Sequence, residues 1–219
     1  MVFGKIDYIN LLPFHLFLKK SSLQNAFKQA CECQKSVPSS INKKFKKRSV
    51  DAAVISSIES QKKSIKTLPL GIVAQKNVRS VIVKKGVCKK DPASATSNVL
   101  SKILNIDGEV FIGDRALKLY LQDPTSYVDL AQVWNNRFHL PFVFARLCVN
   151  KNYAFYQKLA KRFLREPKKI PQYILKDYSQ KRDIAKQDIK DYLTLISYKI
   201  DKKEQRGLKL FLKKARQLR

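Results

Sequence analysis

The amino-acid sequence predicts an α/β fold followed by a helical C-terminal region. In residues 1–150, short apolar runs rich in β-branched side chains alternate with segments whose apolar residues recur at helical spacing. This alternation is typical of an α/β fold with largely parallel strand pairing. From residue 151 onward only the helical spacing continues. The total of 219 residues suffices for one large domain or two small ones.

The first half of the chain contains three predicted strands. Residues 5–9 are strand-like, and residues 12–18 predict a helix because Pro13 occupies a first-turn position, where proline is tolerated. Residues 51–55 form a short apolar run with β-branched side chains, which predicts the second strand. Residues 78–83 predict the third strand for the same reason.

The alternation continues to residue 149 and then gives way to helices. An apolar stripe predicts a helix at 96–104, and the pattern predicts a strand at 110–112, its helix at 116–121 and a long strand at 140–149.

Three amphipathic helices are predicted in the C-terminal region. Apolar stripes at helical spacing occupy 156–164, 189–196 and 208–215. Asp201 and Glu204 have the spacing of an N-terminal capping pair, so we expect the third helix to begin there.

The chain is strongly basic. It has 45 Lys and Arg residues against 17 Asp and Glu residues, which gives a formal net charge of +28 and a pI near 10.1. Half of this excess lies in residues 151–219. Such a field attracts polyanions and small anionic substrates. A basic surface that only faces solvent explains the charge equally well, so the charge alone identifies no partner.

The sequence lacks the motifs of several common enzyme classes. It contains no G-x-G-x-x-G, no G-x-x-x-x-G-K-[ST], no G-x-S-x-G and no H-E-x-x-H. The four cysteines and two histidines lack the spacing of zinc ligands, so we expect neither a metal nor a cofactor. We also expect a cytoplasmic protein without a membrane span, because the sequence has no secretory-signal pattern and no apolar run of about 20 residues.

Polar side chains occur at four places where a strand or small-residue loop ends and a helix is expected to begin. These places are Asn10, the pair Ser56 and Ser57, the pair Thr96 and Ser97, and the pair Gly113 and Asp114. Helix N-termini favour carboxylates and phosphates, and ligands of open α/β sheets gather beyond the carboxyl ends of strands. The four junctions therefore predict one site for a small anion. Helix capping alone is the simpler explanation of each residue, but only one member of a pair can be the cap.

Three other side chains have two interpretations each. His15, on the first predicted helix, is either structural or a base. Arg79 interrupts an apolar strand and is either a bidentate donor to a carboxylate or a solvent-exposed edge residue. Trp134 either lines a pocket or fills the core, and the core is favoured.

Six segments, which together cover about residues 3–149, follow one another in a recognisable order. They are 6–14 (IDYINLLPF), 51–59 (DAAVISSIE), 78–81 (VRSV), 94–97 (SATS), 112–117 (IGDRAL) and 129–145, which includes Asp129, Trp134 and LPFVFA. In this order they resemble the sequence blocks of the MqnA family of chorismate dehydratases.

The resemblance implies a fold similar to type II periplasmic binding proteins, with two α/β lobes around a cleft. It also implies a hydro-lyase that converts chorismate to 3-[(1-carboxyvinyl)oxy]benzoate and water, the first step of the futalosine route to menaquinone. A sister enzyme of that route shares the fold, but the Asn10 block and LPFVFA favour the dehydratase. The connection 105–108 is shorter than is usual in the family, so we expect a small second lobe. We expect lobe one to hold 1–83 plus 141–219 and lobe two to hold 84–140.

The junctions and the resemblance together predict the site. Asn10 is the expected catalytic residue. The expected substrate-binding residues are Ser56, Ser57, Arg79, Ser80, Thr96, Ser97, Gly113 and Asp114. The base is a carboxylate of the substrate itself, Asp114 or His15, and we favour the substrate because neither side chain has an obvious activating partner in the sequence.

Two other classes of function stay open. One is a non-catalytic binding protein for a small carboxylate on the same fold. The other, less favoured, is a nucleic-acid-binding protein, because the basic residues are not interleaved with an aromatic platform.

Overall fold

A computed structural model describes residues 1–62 and 64–218 as two β-sheets surrounded by helices. The strands are β1 Phe3–Ile6, β2 Lys35–Ser36, β3 Ala52–Ser56, β4 Lys66–Ala74, β5 Val81–Lys85, β6 Gly108–Ile112, β7 Tyr127–Asp129, β8 Phe142–Val149 and β9 Ile196–Lys199. Six of them form one sheet in the order β2-β1-β3-β8-β4-β9, and three form a second sheet in the order β6-β5-β7.

Helices cover both sheets and include the predicted ones at 12–18, 96–104 and 116–121, which are thereby confirmed. The helices are α1 Leu12–Lys20, α2 Asn25–Cys33, α3 Pro38–Lys46, α4 Ala95–Leu104, α5 Gly113–Gln122, α6 Leu130–Phe138, α7 Tyr153–Arg165, α8 Gln172–Arg182, α9 Lys186–Thr194 and α10 Lys202–Gln217. Short 3-10 helices occupy Ile9–Leu11, Glu59–Gln61 and Pro124–Ser126. No helix in the described part of the chain is long and apolar enough to cross a membrane.

The prediction of largely parallel pairing is wrong. Among the described strands, β1 runs parallel to β2 and β3, whereas β8 runs antiparallel to both β3 and β4. The second sheet is antiparallel in both of its pairs. The reason is topological. The chain leaves β4 for the second sheet and returns from it directly into β8, so these two neighbouring strands run in opposite directions.

Two predicted strands are displaced because side-chain hydrogen bonds end or delay them. β1 ends at Ile6, and the backbone N–H of Ile9 donates instead to Asp114 at 2.9 Å. β5 begins only at Val81, since the N–H groups of Val78 and Arg79 donate to Asp129. The expected lobe boundary at residue 83 therefore falls inside a strand of the second sheet.

The C-terminal region is helical except for one strand, which the sequence analysis did not predict. Ile196 and Tyr198 are buried, and β9 pairs antiparallel with β4 at the edge of the large sheet. The predicted capping pair is confirmed, because Asp201 and Glu204 form both bonds of a capping box at the start of α10. Phe211 of α10 packs on Trp134, which confirms the core position of that tryptophan. The basic C-terminal region is thus part of the core rather than an appendage.

Asp129 fixes the segment that enters the second sheet. It is 3% exposed, and its carboxylate accepts hydrogen bonds from the N–H groups of Val78, Arg79, Ala131 and Gln132 at 2.6–3.1 Å. The bonds to Val78 and Arg79 hold Arg79 in a left-handed conformation, with φ of 58°. One carboxylate thereby caps α6 and shapes the crossing between the sheets.

We expect Asp129→Ala to lower the free energy of unfolding by about 3 kcal/mol or more, because it leaves four backbone donors without their acceptor in a buried site. Urea denaturation measures this loss. Asp123→Ala is the matched control, since Asp123 also caps a helical turn but is exposed, and it should cost about 1 kcal/mol or less. Equal losses in the two variants would contradict the assigned role of Asp129.

Candidate functional site

The polar junctions meet at a cavity of about 70 Å³ between the two sheets. Its polar lining comes from Tyr8, Asn10, Ser56, Ser80, Ser94, Thr96, Ser97 and Gly113, and its apolar lining from Ile6, Leu11, Pro38, Val54, Ile72, Val78, Val81, Ile112, Phe144 and Ala145. Six of the nine predicted site residues are therefore among those that line one cavity: Asn10, Ser56, Ser80, Thr96, Ser97 and Gly113.

The N-terminus of α4 supplies one side of the cavity. Ser94 is the N-cap, and its Oγ accepts from the N–H of Ser97 at 3.1 Å and donates to the Ser97 hydroxyl at 2.7 Å. The Thr96 hydroxyl accepts from the N–H of Ile58 at 3.2 Å. Since these bonds use Thr96 and Ser97 as acceptors, both hydroxyl protons remain to be donated toward the cavity.

Ser56 lies opposite, at the end of β3, and a buried amide holds it in place. The Nδ2 group of Asn42 donates to the Ser56 hydroxyl at 2.9 Å, and the Ser56 N–H donates to Asn42 Oδ1 at 3.3 Å. Asn42 belongs to α3 and was not predicted, because a single asparagine within a basic helix gives no indication of such a contact.

Asn10 lies in the short 3-10 helix between β1 and α1, and the surrounding chain fixes its backbone. Its carbonyl oxygen accepts from the hydroxyl of Tyr198 at 2.7 Å. The preceding N–H, that of Ile9, donates to Asp114. Asn10 is therefore not the N-cap of a regular helix, and the expectation that all four junctions are helix starts holds only for those of α4 and α5.

Gly113 begins α5 and brings backbone close to an aromatic ring. Its φ of 69° is left-handed, and a Cβ atom placed there would lie 2.7 Å from the Tyr8 ring. The Gly113 N–H donates to the carbonyl of Ser80 at 2.9 Å. Only glycine satisfies both conditions, so this position shapes the cavity without contributing a side chain.

Three predicted site residues do not line the cavity. The hydroxyl of Ser57 donates to the carbonyl of Val143 at 2.6 Å, which ties β3 to β8. The backbone N–H of Arg79 donates to Asp129, and its side-chain Nε is buried without a hydrogen-bond partner in the described chain. Asp114 accepts from Ile9 and forms an ion pair with Arg182. The polar groups of Ser57 and Asp114 are thus used by contacts within the fold that local sequence does not reveal.

His15 lies away from this cavity. It lines a different one of about 460 Å³, together with residues of β1, α1, α2 and α8 such as Lys5, Asp7 and Arg182. Neither ring nitrogen has a hydrogen-bond partner within the described chain. Burial, together with the smaller effect of the nearby Lys5 charge, lowers the pKa of His15 to about 3. The imidazole is therefore neutral near pH 7.

The cavity suits an anion that also carries hydroxyl groups. Its lining holds hydroxyls, one amide and backbone groups but neither lysine nor arginine, so recognition of charge rests on neutral donors and the N-terminus of α4. Burial raises the pKa of Tyr8 to about 12, which keeps its phenol neutral. No group of three or more His, Cys, Asp or Glu residues within 1–62 and 64–218 is placed to hold a metal ion.

The cavity is small for an organic ligand. Pockets for such ligands usually measure about 300–1,000 Å³, well above the 70 Å³ found between the sheets. The crossing segments 75–80 and 139–141 connect the two sheets directly.

Comparison with known proteins shows both a family and a fold. A family model described as Menaquinone biosynthesis matches residues 1–106 and 95–217. The chorismate dehydratase of Campylobacter jejuni is 52% identical over 221 aligned residues, which cover 100% of this chain and 99% of that protein.

Solved structures of low identity share the fold. Protein AF1704 from Archaeoglobus fulgidus aligns with a TM-score of 0.70 at 10% identity, covering 99% of this chain and 96% of that one. The alkanesulfonate-binding protein SsuA from Xanthomonas axonopodis pv. citri aligns with a TM-score of 0.56 at 10% identity, covering 98% and 93%. A Candida albicans protein with the generic periplasmic binding protein fold aligns with a TM-score of 0.54 at 11% identity, covering 96% and 89%. The predicted fold class is confirmed.

The buried neutral state of His15 predicts a dependence of stability on pH. The unfolded chain binds a proton on His15 near pH 6.5, whereas the folded chain does so only near pH 3, so stability falls as the pH falls through this window. Between about pH 7 and about pH 5 we expect a loss of about 2 kcal/mol that His15→Leu abolishes. Urea denaturation at several pH values measures it. His139→Asn, at an exposed histidine, should keep the wild-type pH dependence; a His15→Leu chain that keeps it too would contradict the assignment.

Proposed function

The chain belongs to the family of menaquinone biosynthesis proteins, and we propose that it is a chorismate dehydratase, a hydro-lyase that converts chorismate to 3-[(1-carboxyvinyl)oxy]benzoate and water. The identity of 52% to a chorismate dehydratase along the whole chain carries this proposal. The cavity agrees with it chemically, because its neutral donors and apolar walls suit a small dianion with a ring hydroxyl. We also place the protein in the cytoplasm.

Recognition of the substrate carboxylates falls to the N-terminus of α4. Thr96 and Ser97 direct hydroxyl protons toward the cavity, and the positive end of the helix dipole lies beside them. Ser56, held by Asn42, and Ser80 complete a ring of hydroxyl groups. Neutral donors of this kind bind a dianion without a buried cation, whose desolvation would be costly.

Asn10 is the proposed catalytic residue. Its amide both donates and accepts, so it orients a hydroxyl and a carboxylate at the same time. Its backbone carbonyl accepts from the Tyr198 hydroxyl, and the N–H of the preceding Ile9 donates to Asp114, so the main chain at this position is restrained. A neutral group also avoids repulsion beside two carboxylates.

The base is a carboxylate of the substrate. Neither side-chain alternative lines the cavity, because Asp114 is occupied by Arg182 and Ile9, and His15 lies in a different cavity. The carboxylate takes the proton from the ether-bearing ring carbon, and the electron pair of that C–H bond forms the new ring double bond. The bond from the neighbouring carbon to the hydroxyl breaks, and the hydroxyl takes the proton back from the substrate's carboxylic acid and leaves as water. The ring becomes aromatic, so the protein needs mainly to hold one conformer and exclude water.

We propose that two lobes open and close around this site. They meet at the crossing segments 75–80 and 139–141, close to the expected division into 1–83 plus 141–219 and 84–140. The narrow cavity supports this motion, because chorismate has to enter a space that the present arrangement of the sheets does not offer.

Incubation of the purified protein with chorismate, followed by chromatography of the products, tests the proposal. Appearance of the aromatic enol ether is expected. Binding of chorismate without turnover would instead favour a binding protein on the same fold, the class to which the alkanesulfonate-binding neighbour belongs. Binding of DNA that competes with chorismate would favour the nucleic-acid alternative, whose only support is the charge of +28.

Asn10→Asp should fold and lose most turnover. It places a third negative charge beside two carboxylates, and like charges about 4 Å apart cost about 4 kcal/mol at an effective dielectric of about 20. Steady-state kinetics measure the loss, for which we expect a hundredfold or larger fall in kcat as an order of magnitude. Asn105→Asp, at the exposed C-cap of α4, controls for the chemical change. A kcat of Asn10→Asp near that of the wild type would leave Asn10 with a structural role only.

Replacing both Thr96 and Ser97 by alanine should lower kcat/KM more than about a hundredfold. The double variant removes two donors to a charged group, each of which contributes roughly 1.5–3 kcal/mol. Ser101→Ala is the matched control on the same helix, because its hydroxyl donates to the carbonyl of Ile106 and does not line the cavity. Circular dichroism establishes that both chains fold. A folded double variant with unchanged kcat/KM would overturn the carboxylate assignment.

A further inference from the structure

We propose that Tyr192, in the C-terminal region, is a positioning residue of the reaction, which acts by orienting the hydroxyl group of Ser80 toward the substrate. The inference rests on the proposed function and extends it to a part of the chain outside the six family-like segments. The geometry around the phenol carries it.

Tyr192 lies outside the cavity lining and contacts one of the residues that form it. It lies on α9 with 1% of its surface exposed, and its phenol oxygen shares a hydrogen bond of 2.8 Å with Ser80 Oγ, 112 positions earlier in the chain. Ser80 is also 1% exposed and lines the cavity, whereas Tyr192 itself does not. The phenol therefore acts on the substrate only through Ser80, as a positioning residue does.

The phenol determines which way Ser80 presents its proton. A hydroxyl group has one donor and two acceptor positions, and its rotation decides which of them faces a ligand. When the phenol donates to Ser80 Oγ, the Ser80 proton is free to point into the cavity and meet an oxygen of the substrate. Loss of the phenol hydroxyl frees this rotation and leaves Ser80 without its buried partner.

The phenol stays protonated. Burial raises the pKa of Tyr192, while the hydrogen bond with Ser80 acts in the opposite sense. The phenol is therefore neutral near pH 7 and keeps a proton to donate to Ser80.

A second tyrosine from the same region acts on the backbone of Asn10. The hydroxyl of Tyr198, on β9, donates to the Asn10 carbonyl at 2.7 Å. The segment from α9 to β9 therefore contacts the side chain of one cavity residue, Ser80, and the main chain of another, Asn10.

A double-mutant cycle between Tyr192→Phe and Ser80→Ala tests the inference. The phenylalanine keeps the ring and removes only the hydroxyl, and we expect kcat for chorismate to fall about ten- to a hundredfold while KM changes less than about threefold. In a chain that already carries Ser80→Ala, Tyr192→Phe should lower kcat much less than it does in the wild type, since the two residues act as a unit. A purely structural role would lower the melting temperature without this split between kcat and KM.

Tyr156→Phe is the matched control. Tyr156 is another fully buried tyrosine, but its hydroxyl makes only a bond of 3.4 Å to the carbonyl of Val2, far from the cavity. It should keep the wild-type kcat. A folded Tyr192→Phe chain with wild-type kcat, or full additivity with Ser80→Ala, would overturn the inference.

The remaining outcomes are also decisive. If Tyr192→Phe does not fold, Ser80→Ala alone tests the same contact, and an unchanged kcat in that variant overturns the inference. A wild-type chain that fails to convert chorismate overturns the proposed function and, with it, the role of Tyr192. If the wild type converts chorismate and Tyr192→Phe has the same kcat, the inference about Tyr192 is overturned and the proposed function stands.

Discussion

The buried ion pair between Asp114 and Arg182 is the constraint on which the site depends. Both side chains are largely shielded from solvent, and the pair joins the start of α5 to the end of α8. The other carboxylate oxygen of Asp114 accepts from Ile9, next to Asn10, and the guanidinium of Arg182 also reaches Asp7. Burial raises the pKa of Asp114, but the Ile9 N–H and Arg182 oppose this rise. Breaking such a pair strands a charge, at a typical cost of about 3–5 kcal/mol. The segment 7–9, the start of α5 and the end of α8 are thereby held together beside the cavity.

The basic residues lie outside the cavity, so the charge that attracts anions is separate from the residues that line the site. The molecule carries a net charge of +28, yet neither lysine nor arginine lines the cavity between the sheets. A basic exterior raises the rate at which anions arrive, because its field acts over distances of about a Debye length. In the function that we propose, hydroxyl groups and a helix N-terminus inside the cavity take the place of water around the anion.

The sequence predicts those parts of the site that depend on local pattern. Asn10, Ser56, Thr96 and Ser97 follow strands or begin helices, and such positions face a cavity wherever the fold is of this class. Local pattern fails where a distant partner decides. Ser57 looked like its neighbour Ser56 but bonds to β8. The conformation of the segment around Arg79 is set by Asp129, which local pattern does not reveal. The strand at 140–149 was predicted but its antiparallel direction was not, because strand direction depends on how the chain crosses between sheets, which apolar spacing does not record.

The tyrosines of the C-terminal region also show that local sequence pattern does not reveal a distant partner. Tyr192 belongs to an apolar stripe, and the stripe correctly predicted its burial and its helix. Nothing in the stripe indicates that the hydroxyl reaches a serine 112 positions away. Tyr192 contacts Ser80, Tyr198 contacts Asn10 and Arg182 contacts Asp114, so the arrangement of the cavity residues depends on the packing of the C-terminal region. Formation of the site is therefore coupled to completion of the fold, because contacts between distant parts of the chain carry a cost in loop-closure entropy that the rest of the fold has to offset.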